Sequence, residues 1–193
     1  MRESMTTRLK HDGKQWSNAA EDIIEVVDSD PSWPDQFLAE SSDIEKVLHP
    51  LKPRIEHFGS TAIPNLPAKP IIDILIVIED VSVWPQLIEP LSSLDYVYWA
   101  ENPRKDRMFF VKGMPPFGSR RSHHVHVRTP EDLSELVFRD WLREQPADVA
   151  RYATLKRRLA KQFKTDREAY TAAKGEFIEQ ILKHGKACGR SAA

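Results

Sequence analysis

The stretch Arg54–Ile78 restricts the fold more than any other part of the chain. It opens on a strand pattern, Arg54-Ile55-Glu56-His57-Phe58, and passes through Gly59-Ser60-Thr61 and a loop holding Pro64, Pro67 and Pro70. It ends in Ile71-Ile72-Asp73-Ile74-Leu75-Ile76-Val77-Ile78. A short continuous apolar run bounded by turn residues suits a strand buried on both faces. Asp73 interrupts that run, and a lone carboxylate there is costly unless it is paired or coordinates a metal. Such a conflict between pattern and residue marks a candidate site. Gly59 lets a ligand approach the backbone, and the N–H groups after it can form an anion-binding nest with the Ser60 and Thr61 hydroxyls. The structural alternative is a tight turn with Asp73 satisfied by nearby N–H groups.

The chain has 193 residues, enough for one domain with a full core. We expect a flexible arm over 1–20, one domain over 21–185 and a short tail over 186–193. No apolar run reaches the roughly 18 residues of a membrane span, and Met1–Asn18 lacks the apolar core of a secretory signal. Cys188 is the only cysteine, which excludes a disulfide framework and a cysteine-based zinc site and makes the cytoplasm the expected location. Charge is uneven: residues 1–100 carry 8 Lys and Arg against 17 Asp and Glu, and residues 101–193 carry 20 against 12. A basic half suits a phosphate-bearing partner, although the two halves could simply neutralise each other.

Periodicity predicts strands at 22–27, 54–58, 71–78, 96–99, 107–112 and 123–128. It predicts helices over 37–48, 83–91, 131–143, 146–163 and 166–183, with Thr129 and Asp132 as a capping box for the third. The implied architecture is α+β: a mixed sheet of about five strands with a helical C-terminal layer.

His123-His124-Val125-His126-Val127 supplies a second constellation. Period-two geometry puts His124 and His126 on one face of the strand. Two imidazoles suit Zn²⁺, Mn²⁺ or Fe²⁺ better than Mg²⁺, and Asp73 on a neighbouring strand would complete a two-His-one-carboxylate set. The three are therefore the expected catalytic residues and the expected ligands of a divalent metal (Mg²⁺, Mn²⁺ or Zn²⁺). Histidines that bind substrate or move protons without metal are one alternative, and a purely structural role is the other. His57 could reach the same pocket or be a core histidine. Lys69 and Arg121 could offset phosphate charge or be solvated. Arg151, Lys156, Arg157, Arg158, Lys161, Lys164 and Arg167 stand against Asp166 alone over 151–167, a ridge that could lie along tRNA or be a solvated helix face.

These pieces together resemble the GrpB family, a branch of the nucleotidyltransferase-fold superfamily. The resemblance rests on Glu56–Pro64, Ala68–Ile74, Phe109-Phe110, His123–Val127, Phe138–Arg143 and Tyr170–Lys174, and it covers about residues 22–183. Asn65 stands where the family often has glycine, a residue type that tolerates positive φ. The resemblance implies a nucleotidyltransferase-like topology and a nucleotide or other phosphate-bearing substrate at Gly59, Ser60 and Thr61, with His57, Lys69 and Arg121 in the pocket. Strands of the superfamily carry a second carboxylate where this chain has Leu75, so a two-metal mechanism lacks a ligand. Two further functions stay open: a transferase using aminoacyl-tRNA, of the cyclic-dipeptide-forming type, and a non-catalytic ligand-binding module. Nothing in the sequence fixes the oligomeric state.

Overall fold

The computed structural model describes residues 23–114 and 117–187; the expected arm at 1–20 and the end of the expected tail, 188–193, lie outside them. Five segments pair into one mixed sheet: β1 (Arg54–Phe58), β2 (Ile72–Val77), β3 (Tyr96–Tyr98), β4 (Met108–Lys112) and β5 (His123–Arg128). Their spatial order is β1-β2-β5-β4-β3, with β2 and β5 parallel and the other neighbours antiparallel. The described helices are α1 (Trp33–Leu48), α2 (Ile88–Ser92), α3 (Ser134–Glu144), α4 (Pro146–Gln162), α5 (Arg167–Ala172) and α6 (Gly175–Ala187). The expected α+β architecture with its helical C-terminal layer is the observed one.

β2 is apolar on both faces because both are covered. Ile72, Ile74 and Ile76 point into the larger core with Ile44 and Leu48 of α1, Leu91 of α2 and Phe110, Val125 and Val127 of the neighbouring strands. Each fully buried side chain of this kind contributes about 1.5–3 kcal/mol. On the opposite face Leu75 and Val77 pack with Phe58, Leu133 and Leu136, the last from α3. Ile63 and Leu66, from the loop after β1, join Leu142 of α3 with Tyr152 and Ala153 of α4.

Four local expectations are corrected. Of the strand expected at 22–27, the described residues 23–27 form only one isolated antiparallel bridge, Val27 with Ala68. Ile24 and Val26 instead pack against Leu159, Ala160 and Tyr170 of the C-terminal helices, so burial there replaces sheet pairing. The helix expected over 83–91 is a 3₁₀ turn over Val81–Leu87 followed by α2. Pro85 has no N–H to give an α-helical ladder, which favours the tighter turn. The capping box is absent: α3 starts at Ser134, whose N–H donates to Asp132, while the other oxygen of Asp132 accepts from buried Arg128 at 2.9 Å. The last helix is two, α5 and α6, separated at Ala173 and Lys174 before Gly175. Asn65 does take positive φ, at 60°.

Candidate functional site

The parallel pairing of β2 with β5 makes the site. Partner residues in a sheet point to the same face, and Asp73 is the register partner of His124. Across the sheet this rung reads Phe58, Asp73, His124, Val111, and the next reads Glu56, Leu75, His126, Phe109. Both rungs face the C-terminal helical layer, opposite the larger core.

His124 Nδ1 lies 3.0 Å from Asp73 Oδ1. An ionised carboxylate only accepts, so Nδ1–H donates and the Nε2 lone pair is left for something else. Nε2 of His124 and Nδ1 of His126 are both buried and have no hydrogen-bond partner among the described residues. One ligand-capable atom from each of Asp73, His124 and His126 lies within 4.8 Å of the others. The Phe109 ring packs 5.1 Å from the His124 ring and 4.7 Å from the His126 ring, and Phe58 sits edge-on to His126. These walls hold both imidazoles in place. Burial lowers the pKa of His124 despite the Asp73 carboxylate, and it pushes His126 down to about 3. Both rings are therefore neutral at pH 7, the form that binds metal. Burial opposes ionisation of Asp73, but the His124 hydrogen bond first, then the positive charge that His124 and His126 take on only in acid, and the Lys69 ammonium, hold its carboxyl below the usual range.

Gly59 packs its backbone against this carboxylate. Its φ of 69° and ψ of −167° lie in a region open essentially to glycine alone. A Cβ there would stand 2.3 Å from Asp73 Oδ2. Ser60 begins a single 3₁₀ turn through Ala62 and is half-buried. Thr61 is buried, and its hydroxyl is engaged with His57 Nε2 at 3.0 Å and the Ile71 carbonyl at 3.4 Å. His57 lies on the far side of the sheet from Asp73, stacked on Phe37 of α1 with ring centroids 4.7 Å apart. Lys69 is half-buried with its Nζ 5.5 Å from the Tyr170 ring centroid, and Arg121 is near enough to depress the pKa values of both Lys69 and His124. Asp73, His124 and His126 are thus brought together beside Gly59, with Lys69 and Arg121 at their edge and His57 apart.

The position that would supply a second carboxylate is filled by Leu75, which is fully buried. Glu56 reaches the same rung but is bound by Arg139 at 2.8 Å and by Arg54. Sequence reasoning missed the inward direction of Lys156, which was expected on a basic ridge. Lys156 is 2% exposed. A signal was available: it falls four residues after Tyr152 and three before Leu159, on the apolar stripe of α4. Of the other ridge cations, Arg151 pairs with Asp148 and Arg157 with Asp28, while Arg158, Lys161 and Lys164 are exposed.

His57 gives the site's supporting side a pH dependence. Burial lowers its pKa from 6.5 to about 4. Between those values the unfolded chain binds a proton that the native chain refuses, so stability is complete above pH 6.5 and is lost as pH falls towards 4, by up to about 3 kcal/mol. Urea denaturation of wild type and His57→Gln from pH 4 to 8 tests this. The difference between the two curves should be flat above pH 7 and slope below 6.5; a flat difference throughout would contradict it.

The GrpB protein family model matches residues 23–184, and the chain belongs to that family. A UPF0157 protein of Pseudomonas aeruginosa is 50% identical over 182 residues, spanning 94% of this chain and 75% of the relative. The crystal structure of conserved protein GrpB from Enterococcus faecalis superposes with a TM-score of 0.77 at 33% identity, over 86% of this chain and 100% of that one. Cid1, an RNA terminal uridylyl transferase solved in complex with the UTP analog UMPNPP, superposes with a TM-score of 0.50 at 13% identity, over 77% of this chain and 48% of that one. The fold is accordingly nucleotidyltransferase-like. No described helix is long and apolar enough to cross a membrane.

Proposed function

We propose that this chain binds a phosphate-bearing substrate, a nucleotide foremost, at the Gly59-Ser60-Thr61 turn, beside a divalent cation held by Asp73, His124 and His126. One observation carries the reading: Asp73, His124 and His126 each bring a ligand-capable atom within 4.8 Å of the others, and each imidazole has a buried nitrogen without a hydrogen-bond partner among the described residues. Leaving such atoms unsatisfied costs about 1–3 kcal/mol each, and a cation is the partner that satisfies all three groups together. Ligand atoms around tetrahedral zinc stand about 3.3–3.5 Å apart, so a small contraction closes the set. Two imidazoles favour Zn²⁺ or Mn²⁺ over Mg²⁺. Such a cation, when bound, neutralises charge on phosphoryl oxygens. With Leu75 apolar and Glu56 committed to Arg139, the arrangement suits one cation and a transferase that works with it.

Isothermal titration of the full chain with Mn²⁺ and Zn²⁺, then with the four nucleoside triphosphates, tests the reading. Binding of a metal and of at least one nucleotide is expected. Asp73→Ala should weaken metal binding on the order of 100-fold, about 2.7 kcal/mol. No binding under any combination overturns the proposal.

A further inference from the structure

The helical layer facing Asp73 contains three lysines that no carboxylate neutralises directly. They come from three separate parts of the chain: Lys69 from the loop before β2, Lys156 from the middle of α4, and Lys174 from the junction of α5 and α6. The ammonium groups of Lys69 and Lys174 lie 5.5 Å and 4.4 Å from the centroid of one ring, Tyr170. That of Lys156 lies 5.2 Å from the Tyr152 ring. Lys156 Nζ is buried and has no hydrogen-bond partner, and none of the three forms an ion pair among the described residues. Aromatic faces attract cations but only partly replace lost hydration. A buried amine with no counter-charge is costly to keep protonated, and it holds its proton at neutral pH only when something else supplies that counter-charge.

The surrounding charges show how unbalanced the cluster is. Lys69 is depressed to about 7 by burial and by Arg167, Lys174 and Arg121. Lys156 is depressed to about 6 by burial, Lys174, Lys69 and Arg157, and Lys174 to about 8 by burial and Arg167. Asp73 alone among the carboxylates acts on all three in the opposite direction. If Asp73 also holds a divalent cation, even that compensation is spent. A ligand that balances this group must carry several negative charges close together.

We infer that Lys69, Lys156 and Lys174 form a subsite for condensed phosphate, the di- or triphosphate tail of the substrate, on the helical layer opposite Asp73. This rests on the phosphate-substrate reading above and narrows it: a chain of linked phosphoryl groups fits three spaced ammonium groups, whereas a single phosphate engages one or two. Binding supplies the counter-charge that keeps the three amines protonated, and a ligand bound to the folded chain alone stabilises it.

The probes are metal-free sodium tripolyphosphate, pyrophosphate and orthophosphate at matched ionic strength, read by calorimetry and by thermal melting of the full chain. Tripolyphosphate and pyrophosphate should bind at least about tenfold tighter than orthophosphate and raise the melting temperature. Lys156→Met and Lys174→Met should each weaken tripolyphosphate by about tenfold or more, while Lys161→Met, on the exposed face of α4, leaves it unchanged. Lys156→Met should also raise the melting temperature of the ligand-free chain, an effect opposite to that of losing a structural contact. Equal binding of all three probes, or undiminished tripolyphosphate binding by both Lys156→Met and Lys174→Met, overturns the inference. Tripolyphosphate binding without nucleotide binding upholds the subsite and removes the nucleotide reading. Nucleotide binding indifferent to both substitutions does the reverse.

Discussion

Gly59→Ala should destabilise the chain by about 2–5 kcal/mol, combining the cost of a backbone conformation that side chains avoid with that of forced overpacking. The methyl carbon would be driven to 2.3 Å from Asp73 Oδ2, and any retreat of Asp73 strains the bond by which His124 holds its other oxygen at 3.0 Å. Urea denaturation at pH 7 measures the loss. The double variant Gly59→Ala, Asp73→Ala separates the two causes. Removing the carboxylate should restore the overpacking share and leave the backbone share, so the two substitutions couple strongly. Additive effects would mean that the contact between Gly59 and Asp73 carries no strain. The same contact explains why the turn and the carboxylate act as one unit: the backbone can lie against Asp73 only where there is no side chain.

Arg139→Ala should cost about 3–5 kcal/mol, the range for breaking a buried ion pair from one side. Its side chain is 9% exposed and ties α3 to β1. One terminal nitrogen donates to Glu56 and to the His57 carbonyl, each at 2.8 Å, and the guanidinium also grips Asp140 through Nε at 2.7 Å and Nη2 at 3.1 Å. Truncation leaves Glu56 half-buried without its main partner, beside the rung that holds His126. Arg139→Lys keeps the charge but cannot fork, so it should recover only part of the loss. A loss below about 1 kcal/mol in the alanine variant would show that solvent screens the cluster.

The sheet and the heart of the site were legible because both follow from period-two geometry. Asp73 announced itself by breaking an apolar run, and His124 and His126 by sharing a strand face. The helical layer was less legible. Cations surround α4, so charge alone could not tell inward Lys156 from outward Arg157; only its place on the Tyr152–Leu159 stripe does. His57 was ambiguous for a related reason: alternation gives its face but not what covers that face, and α1 brings Phe37 over it. The failed strand at 22–27 had suitable residues, but its apolar side chains pack on the C-terminal helices instead of on a sheet face.

The strand order has a consequence for how the chain acquires its shape. β1 pairs with β2, and β3 with β4, through antiparallel contacts between elements successive in the chain. β5, the last strand made, enters between the two pairs and bonds to β2 on one side and β4 on the other. Until residues 123–128 are in place, the nascent chain carries two separate ribbons, each with an inner edge of unpaired amides and carbonyls. Closing that gap joins residues far apart in the chain and is intrinsically slow. The strand that closes it also bears both histidines. The Asp73–His124 contact therefore waits on the long-range pairing of β5 with β2, and until β5 fills the gap the inner ribbon edges are open to pairing with another chain.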